Sequence, residues 1–413
     1  MWPFSKSGSN KSYQPVKTDD LEDDNISFDL DDGQYSAPKT KRKGLVTTFT
    51  GFIGFALIVL FLIGFGIFIT SHKDRSQTST ENTATEPSSP STDNPSSSAP
   101  SSNSNSSHCT LRREWRTLEI PEKHEYIRAV QCLLQQPSQL QPPHTLTANS
   151  TLYTDFPFIH AHIGYRTHNS APFLPWHRYF LHLYETALRE KCGFTGGLVY
   201  WDWTLDAADL TKSPVFDPET GFGGDGDPDL PVTLGRSGRC VTNGPFGAGP
   251  DGVGVWGQFY DVKFLPHCLS RGFRDDEGNL GTIDGSTVTA ESIGEVLDIE
   301  GYEDFVKTLE GRVHDAIPFG VAGDFETFTA PYDPLFYLHH TQLDRLWYIW
   351  QQRKAERVME YSGHEARHSI ESAKLTDKIT MGGWAEEIEV RQVMDTEGAS
   401  KSDDEQALLC YRY

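Results

Sequence analysis

The strongest hydrophobic signal in the chain is residues 44–70, a stretch without a single charged side chain that is rich in Phe, Ile, Leu and Gly. At about 1.5 Å of rise per residue, a helix of this length crosses a hydrocarbon core roughly 30 Å thick. Four basic residues directly precede it: Lys39, Lys41, Arg42 and Lys43. A cleavable signal peptide would lie nearer the N-terminus and have a shorter apolar core. The pattern therefore predicts an uncleaved transmembrane signal anchor with its basic flank in the cytosol.

The segments on either side of this anchor are polar and differ in character. Residues 1–43 form an acidic tail that ends in the basic flank, and their few apolar positions predict a solvated cytosolic segment. Residues 71–107 are dominated by Ser, Thr, Pro and Asn, a composition typical of a glycosylated stalk. Glycosylation sequons at Asn105 and Asn149 lie on the predicted lumenal side. We expect a single-pass type II membrane protein whose domain, residues 108–413, lies in the secretory lumen or outside the cell.

Helical periodicity in this C-terminal domain is concentrated in four places. Residues 118–134 and 155–165 carry the first two signals, and Pro157 is expected to mark the start of the second helix. In the third, side chains recur at i, i+4, i+7 and i+11: His177, Leu181, Tyr184 and Leu188. The fourth begins at Asp333-Pro334, a cap residue followed by proline. One face of that fourth helix carries Phe336, His340, Leu343, Trp347 and Trp350.

Residues 206–290 separate the third and fourth signals and are rich in Gly, Pro and Asp. Such a composition predicts long loops with a few short strands. No second linker resembling the stalk divides the region beyond residue 108, so we expect one domain of mainly α class.

Charge and cysteine content limit the partners and the cellular compartment that are expected for this domain. The chain has 36 Lys and Arg against 58 Asp and Glu, a formal net charge of -22 at pH 7, and this field repels the phosphate backbone of nucleic acid. No nucleic-acid partner is expected. All six cysteines lie beyond the anchor, where the compartment favours disulfides: Cys109, Cys132, Cys192, Cys240, Cys268 and Cys410. The sequence does not fix their pairing, although a bond between Cys109 and Cys410 would tie the two ends of the domain.

Histidines recur in the two regions with the clearest helical periodicity. His160, His168 and His177 are separated by seven and eight residues, and His314 and the pair His339-His340 lie in the second region. Burial on a helix face keeps imidazole neutral, which is the form that binds metals. Several converging neutral imidazoles need a cation, and ligation by nitrogen alone suits copper or zinc. The spacing thus indicates a metal centre.

Longer motifs surround these histidines. The sequence FLPWHRYF contains His177, YWDW occupies residues 200–203, and DPLFYLHH followed by DRLW runs over residues 333–347. Together they resemble the tyrosinase and catechol oxidase family of type 3 copper proteins, and the resemblance covers about residues 109–413. It is greatest to the ascomycete tyrosinase-like branch associated with secondary-metabolite biosynthesis, some members of which act on tyrosine-containing ribosomal peptides.

The resemblance implies a four-helix bundle that holds two copper ions, Cu A and Cu B, with dioxygen as co-substrate. The implied Cu A ligands are His160, His168 and His177. His162 is a rival for the first of these positions, but the spacing from His160 fits the family better. The implied Cu B ligands are His314 and His340, with His339 beside the ligand. The implied activity is that of a tyrosinase-like monooxygenase or catechol oxidase, acting on a phenolic small molecule or a tyrosine-containing peptide.

The chain departs from the family pattern at the third Cu B ligand. The family commonly has a histidine four residues after the one that matches His314, and Pro318 stands there. Proline cannot ligate a metal, and within a helix it removes a backbone hydrogen bond. Three alternatives remain: Cu B keeps two histidines and an open position, another residue such as His339 completes it, or the helix is locally shifted.

Two further departures concern reactivity. Asp315 follows His314 where hydroxylating members often have an asparagine that orients a proton-accepting water. Its carboxylate could itself accept the phenol proton as a catalytic residue, or it could simply complement a helix dipole. Arg166 occupies the position of the cysteine that many fungal tyrosinases link to the ligand matching His168, so no thioether is expected.

Several other residues have candidate roles around the centre. Contacts that fix imidazole tautomers, or alternatively structural ion pairs, are expected of Asp202, Glu185, Asp344 and Arg345. Core packing is expected of Trp176, Trp201, Trp203, Trp347 and Trp350. The final residues Tyr411-Arg412-Tyr413 are similar to the Tyr-x-Tyr motif that closes the catalytic core of the family, so no shielding domain is expected after them.

Two functions without turnover compete with the enzymatic one. A dioxygen-binding or copper-binding carrier would share the ligands, and Pro318 favours this alternative. A pseudoenzyme that serves as a scaffold for membrane-bound biosynthetic partner enzymes would bind no copper. Copper content together with oxygen uptake distinguishes the three.

Overall fold

The structure is a computed structural model that describes residues 109–140, 150–232, 235–247, 267–398 and 407–413, and the backbone of Val255–Trp256 and Phe264–Leu265. The predicted tail, anchor and stalk lie outside the described residues. Within the described part of the chain, no helix combines the length and the hydropathy needed to cross a bilayer.

Helices dominate the described residues, as predicted. They are α1 (Ile120–Leu133), α2 (Leu152–His162), α3 (Phe173–Cys192), α4 (Ala290–Leu297), α5 (Tyr302–Thr308), α6 (Ala316–Val321) and α7 (Leu335–Gln352). A π-helical segment, Leu309–His314, joins α5 to α6. The four predicted helices correspond to α1, α2, α3 and α7. The sequence did not reveal α4, α5 or α6, because helices this short have too few turns to show a clear period.

The start of α2 differs from the prediction. Thr151 and Thr154 cap the helix reciprocally: the Thr154 N–H donates to the Thr151 hydroxyl at 3.3 Å, and the Thr151 N–H donates to the Thr154 hydroxyl at 2.8 Å. These bonds satisfy backbone donors that no carbonyl within the helix can reach. The helix therefore begins at Leu152, and the prediction that Pro157 marks its start is wrong, since Pro157 lies inside it.

The core is centred on α3, which packs against α1 on one side and α7 on the other. Aromatic rings fill the contact with α7, where Tyr184 stacks on Tyr337 with 3.5 Å between ring centroids. The helix ends at Gly193, whose positive φ of 68° lets its N–H bond back to the Arg189 carbonyl at 3.1 Å. This arrangement buries the faces of α3 and α7 that carry histidines.

The strands are two residues long and form pairs rather than a large sheet. They are β1 (Thr110–Leu111), β2 (Arg113–Glu114), β3 (Val199–Tyr200), β4 (Arg239–Cys240), β5 (Val255–Trp256), β6 (Phe264–Leu265), β7 (Ser270–Arg271), β8 (Lys378–Ile379), β9 (Ile388–Glu389) and β10 (Tyr411–Arg412). The pairs β1–β10 and β2–β3 are parallel, whereas β4–β7, β5–β6 and β8–β9 are antiparallel. Since β1 pairs with β10, the two ends of the domain meet.

Three disulfides reinforce this layout. The sequence left all three pairings open. The bond between Cys109 and Cys410, which ties the two ends of the domain, lies beside the β1–β10 pair and joins residues 301 positions apart. The other two bonds are Cys132–Cys192 and Cys240–Cys268. Cys132–Cys192 links α1 to the end of α3. Three disulfides indicate a domain that folds in an oxidising, secreted or lumenal setting.

The charged residues singled out from the sequence form ion pairs. Asp344 accepts hydrogen bonds from Arg178 at 2.5 Å and from Arg112 at 3.0 Å, and Glu185 accepts from Arg112 at 2.8 Å. Burial favours the neutral acid, but the two guanidinium groups outweigh it and lower the pKa of Asp344. These carboxylates thus bind guanidinium groups and not imidazoles, and the ion-pair alternative holds for them.

The two other candidates, Asp202 and Arg345, also form an ion pair. Arg345 lies 3.4 Å from the Asp202 carboxylate, which also accepts hydrogen bonds from Gln342 and Thr204. None of these contacts involves an imidazole. All five tryptophans predicted to pack in the core are buried, although Trp203 also has a polar contact within the histidine cluster.

Candidate metal centre

Three histidines from α2, α3 and the loop between these helices meet in the core. His160 lies in the last turn of α2, His177 in the first turns of α3, and His168 in the connecting loop. One ring nitrogen from each lies within 4.8 Å of the others. The Nε2 atom of His160 is 3.3 Å from that of His177 and 3.5 Å from that of His168. We call this set, which contains the three implied Cu A ligands, the first triad.

His162 is excluded from the first triad. It is exposed at the end of α2, and its ring packs on Phe158 with 4.2 Å between centroids. His160 lies two residues earlier, on the helix face turned toward the core, and is 3% exposed. The structure thus places His160, and not its rival His162, in the cluster.

Each ring of the first triad is oriented through its Nδ1 atom. His160 donates to the Phe328 carbonyl at 2.6 Å, and His177 donates to the carbonyl of Phe173 at 2.7 Å, one helical turn earlier. The Nδ1 of His168 lies 2.8 Å from Glu310 Oε1. With the protons on Nδ1, the Nε2 lone pair of His160 lies 3.3 Å from that of His177 and 3.5 Å from that of His168. A metal cation satisfies such a set of nitrogen donors, so the residues present fit a bound metal.

Electrostatics favour the same neutral, metal-binding form. Burial lowers the pKa of His160 and His177 well below the usual value, and neighbouring imidazoles add to the effect. Burial, with a smaller contribution from His314, lowers the pKa of His168 to about 3. Burial also raises the pKa of Glu310 to about 8. The positive charge of a bound metal acts in the opposite direction on Glu310 and favours the carboxylate that accepts from His168.

A second group of histidines lies beside the first. His314 ends the π-helical segment, His339 and His340 lie in α7, and one ring nitrogen of each is within 4.8 Å of the others. We call this set the second triad. The ring of His340 stacks on that of His177, with 4.3 Å between centroids and 13° between planes. Burial lowers the pKa of His339 and His340 well below the usual value, so both are neutral.

The third position of the second triad differs from the implied pattern. Pro318 is buried in α6, one turn after His314, and offers no donor atom. His339, which the resemblance places beside the ligand, is the residue that joins His314 and His340 here. Trp203 contacts this residue, because its indole N–H donates to His339 Nδ1 at 3.2 Å.

Asp315 lies next to the second triad at the start of α6. Its Oδ1 atom accepts a hydrogen bond from His314 Nδ1 at 2.8 Å, and its side chain is 39% exposed. This bond leaves the Nε2 lone pair of His314 for a metal. Arg166 is exposed and donates to the Tyr165 hydroxyl at 3.1 Å. Because an arginine has no sulfur, no thioether can form at this position.

Three contacts in the centre were not predicted from the sequence: the Glu310 carboxylate, the Phe328 carbonyl and the Trp203 indole N–H. Glu310 carried a usable signal, since it is an acidic residue one turn before His314 in an otherwise apolar face. The Phe328 carbonyl carried none, because any residue has a carbonyl and only the tertiary structure brings this one to His160.

Comparisons with known proteins agree with this geometry. Residues 148–353, which contain both triads, match the family described as the common central domain of tyrosinase. Tyrosinase ustQ of Aspergillus flavus is 45% identical over 73% of this chain and 79% of its own. The N-acetyl-6-hydroxytryptophan oxidase ivoB of Emericella nidulans is 31% identical over 74% of this chain and 93% of its own.

A solved structure extends the agreement to the fold. A mutant form of the polyphenol oxidase from Thermothelomyces thermophila superposes with a TM-score of 0.60 at 27% identity, covering 74% of this chain and 88% of that one. The mainly helical fold, the two adjacent triads and the match to the tyrosinase domain lead to one assignment. This chain belongs to the tyrosinase family of type 3 dicopper oxidases and monooxygenases.

Proposed function

We propose that this protein uses two copper ions and dioxygen to hydroxylate or oxidise a phenolic, tyrosine-like substrate in fungal secondary-metabolite or modified-peptide biosynthesis. The observation that carries the proposal is the convergence of three unprotonated Nε2 atoms in the first triad, with the second triad stacked directly against it. When bound, a copper pair supplies the redox chemistry with dioxygen that amino-acid side chains lack.

The relatives support an aromatic substrate that carries a hydroxyl group. One is named a tyrosinase, and another is named an oxidase of N-acetyl-6-hydroxytryptophan, a hydroxylated indole. We infer the shared chemistry for this chain: an electron-rich ring with a hydroxyl group, carried by a small molecule or by a tyrosine side chain of a peptide.

The histidines and their partners keep the centre ready for metal. Hydrogen bonds from Nδ1 to fixed acceptors hold four of the six rings in the tautomer whose Nε2 can ligate: His160, His168, His177 and His314. Because these four rings are held before substrate arrives, little reorganisation of them is needed in the reaction.

Asp315 is the residue that we propose as acceptor of the phenolic proton. It is adjacent to a second-triad histidine, and unlike the triad residues it is partly exposed, at 39%. Its Oδ1 holds His314, which leaves Oδ2 for the substrate. A phenol must lose its proton before the ring becomes electron-rich enough for attack, and a positioned carboxylate is a suitable general base.

We also propose that the domain is tethered to a membrane by residues 44–70, with the disulfide-bonded part in the secretory lumen or outside the cell. The uncharged stretch and its basic flank support this topology. In a microsomal preparation, alkaline carbonate should leave the full chain in the membrane, and a protease added outside should remove only the N-terminal tail. Release by carbonate would contradict the anchor.

Copper content and oxygen uptake of the full chain test the proposed activity. We expect about two copper ions per chain, and dioxygen consumption with a monophenol or a catechol. His177→Ala and His340→Ala should each bind less copper than the unsubstituted chain and should no longer consume dioxygen. His182→Ala is the matched control, because this histidine lies in α3 like His177 but outside both triads. Two bound coppers without consumption of dioxygen on either substrate would favour a carrier instead.

A further inference from the structure

We propose that His339 is the third protein ligand of the second copper, in place of the residue lost at Pro318, and that the Trp203 indole competes with the metal for this ring. The inference rests on the copper-dependent function proposed above and deepens it. It concerns which atoms hold the second ion, and its test is copper binding rather than turnover.

Pro318 creates the need for a substitute ligand. It is buried in α6 one turn after His314 and has neither a side-chain donor nor a backbone N–H. Without a replacement, the second ion would have only His314 and His340 from the protein. The neighbouring first triad offers three nitrogens, so a two-histidine site would be markedly the weaker of the pair.

His339 meets the geometric requirements of a ligand. Its ring is fully buried, and its centroid lies 5.2 Å from those of both His314 and His340. Its Nε2 atom is buried without a hydrogen-bond partner in the structure. A buried polar nitrogen with no partner is costly, whereas a metal ion at this atom would satisfy it. No other described side chain joins His314 and His340 in a group of three potential metal ligands.

Trp203 distinguishes His339 from the other ligands. The indole N–H is a donor only, so His339 Nδ1 must act as an acceptor at 3.2 Å. A neutral imidazole with an accepting Nδ1 carries its proton on Nε2, the atom that would face the metal. In the first triad and in His314 the arrangement is reversed, because Nδ1 lies against an oxygen.

Copper and Trp203 therefore bind alternative tautomers of the same ring. When copper occupies Nε2, the proton moves to Nδ1 and the hydrogen bond from Trp203 is lost. A neutral hydrogen bond of this kind changes an equilibrium by up to about tenfold. We expect this competition to weaken the second copper by up to this factor relative to the first, although each ion has three histidines.

Substitutions of Trp203 and His339 test the competition, since the first removes the competing hydrogen-bond donor and the second removes the ligand. Trp203→Phe removes the N–H but keeps an aromatic ring, and it should tighten the second copper up to about tenfold. Trp201→Phe is the matched control: Trp201 is equally buried two residues away, and its indole nitrogen has no hydrogen-bond partner. It should leave the affinity for the second copper unchanged. His339→Ala should reduce the copper content from two ions per chain to one.

The measurements are made on the full chain in detergent, by titrating copper(II) against a chelator and recording electron paramagnetic resonance spectra of the ion bound last. If His339→Ala lowers stability as well, His339→Ala combined with Pro318→His should restore two coppers, since it returns a histidine to the family position. Two tightly bound coppers in His339→Ala, or equal affinities in Trp203→Phe and Trp201→Phe, would overturn the proposal. If the unsubstituted chain binds no copper at all, the proposed function fails first.

Discussion

Glu310 accepts a hydrogen bond from His168 Nδ1 at 2.8 Å, although 142 residues separate the two in the chain. The other oxygen of this carboxylate accepts from the backbone N–H of Asn169 at 2.8 Å. Glu310 is 3% exposed and lies in the π-helical segment, one turn before His314. Glu310 therefore orients His168 of the first triad, and it lies in the segment that ends at His314 of the second triad. This side chain couples the two metal positions.

This contact predicts how copper affinity depends on Glu310. Glu310→Ala removes the acceptor of His168 Nδ1, so the first copper should bind about 10- to 100-fold more weakly, the range typical of lost partners to metal-binding histidines. Glu310→Gln retains an oxygen acceptor and should lose much less. Chelator titration of both variants measures the difference. Equal losses in the two would mean that the negative charge, and not the orientation of His168, is what the site requires.

The sequence predicted the parts of the fold that local pattern determines. Helices α3 and α7 contain 20 and 18 residues, or at least about five turns each, and the long motifs around His177 and His340 lie on them. The helices and five of the clustered histidines could therefore be identified. Helix α1 was also predicted, yet it contributes no ligand and instead supports α3.

Contacts between distant segments could not be predicted in the same way. The partner of His168 is a carboxylate 142 residues away, and the partner of His160 is a carbonyl 168 residues away. Neither leaves a periodic trace in the chain. For Asp344 the sequence left two alternatives open, a contact with imidazole and a structural ion pair. Only the tertiary structure decides between them, because it brings this carboxylate to Arg178 and Arg112.

The Asp344 cluster predicts a large effect on stability. Asp344→Asn would leave two fully buried guanidinium groups, Arg112 and Arg178, without their shared counter-charge, and this should destabilise the domain by about 3 to 5 kcal/mol. Tyr411→Phe removes one 2.7 Å hydrogen bond to the same carboxylate and should cost only about 1.5 to 3 kcal/mol. Urea unfolding gives the free energy of unfolding of both variants. A smaller decrease in Asp344→Asn than in Tyr411→Phe would contradict the role of the Asp344 carboxylate as the counter-charge of the two guanidinium groups.

The disulfide between the ends of the domain should stabilise it more than Cys132–Cys192 does. Replacing Cys109 and Cys410 by serine opens a loop whose ends are 301 residues apart in the sequence. Replacing Cys132 and Cys192 opens a loop whose ends are 60 residues apart. Because a longer loop gains more entropy in the unfolded chain, we expect losses of about 2 to 5 kcal/mol, larger for the first pair. Thermal unfolding of both double variants gives the order, and the reverse order would contradict a stabilisation that depends on loop length.

Asp155 predicts a dependence of stability on pH. Burial raises the pKa of this carboxyl to about 6, even though it accepts hydrogen bonds from Ser138 at 2.5 Å, Gln139 at 2.7 Å and Trp384 at 3.1 Å. The folded domain therefore holds this proton more tightly than the unfolded chain. The contribution of Asp155 to the free energy of unfolding is fully present below about pH 4. It is lost as the pH rises through 6, and the loss amounts to up to about 3 kcal/mol.

The matched variant for this effect is Asp155→Asn, which cannot titrate. The free energy of unfolding of the unsubstituted chain should fall relative to that of Asp155→Asn between pH 4 and pH 7, and the fluorescence of Trp384, whose indole contacts the carboxyl, should change over the same interval. Parallel pH profiles for the two proteins would exclude Asp155 as the source.

Asp315→Asn separates the two oxidations that the centre could perform. The amide retains an oxygen that accepts from His314 Nδ1, so the imidazole stays in place and copper binding should be unchanged. It cannot accept a proton, however, and general-base catalysis is typically worth about 10²- to 10⁴-fold. If the carboxylate is the direct base, hydroxylation of a monophenol should slow by at least about 100-fold, whereas oxidation of the more acidic catechol should fall much less. Hydroxylation at an undiminished rate would mean that the new asparagine orients a proton-accepting water, the role that the family resemblance gives to asparagine at this position. Equal slowing of both reactions, with two coppers still bound, would assign Asp315 to holding His314 and leave the phenolic proton to another base.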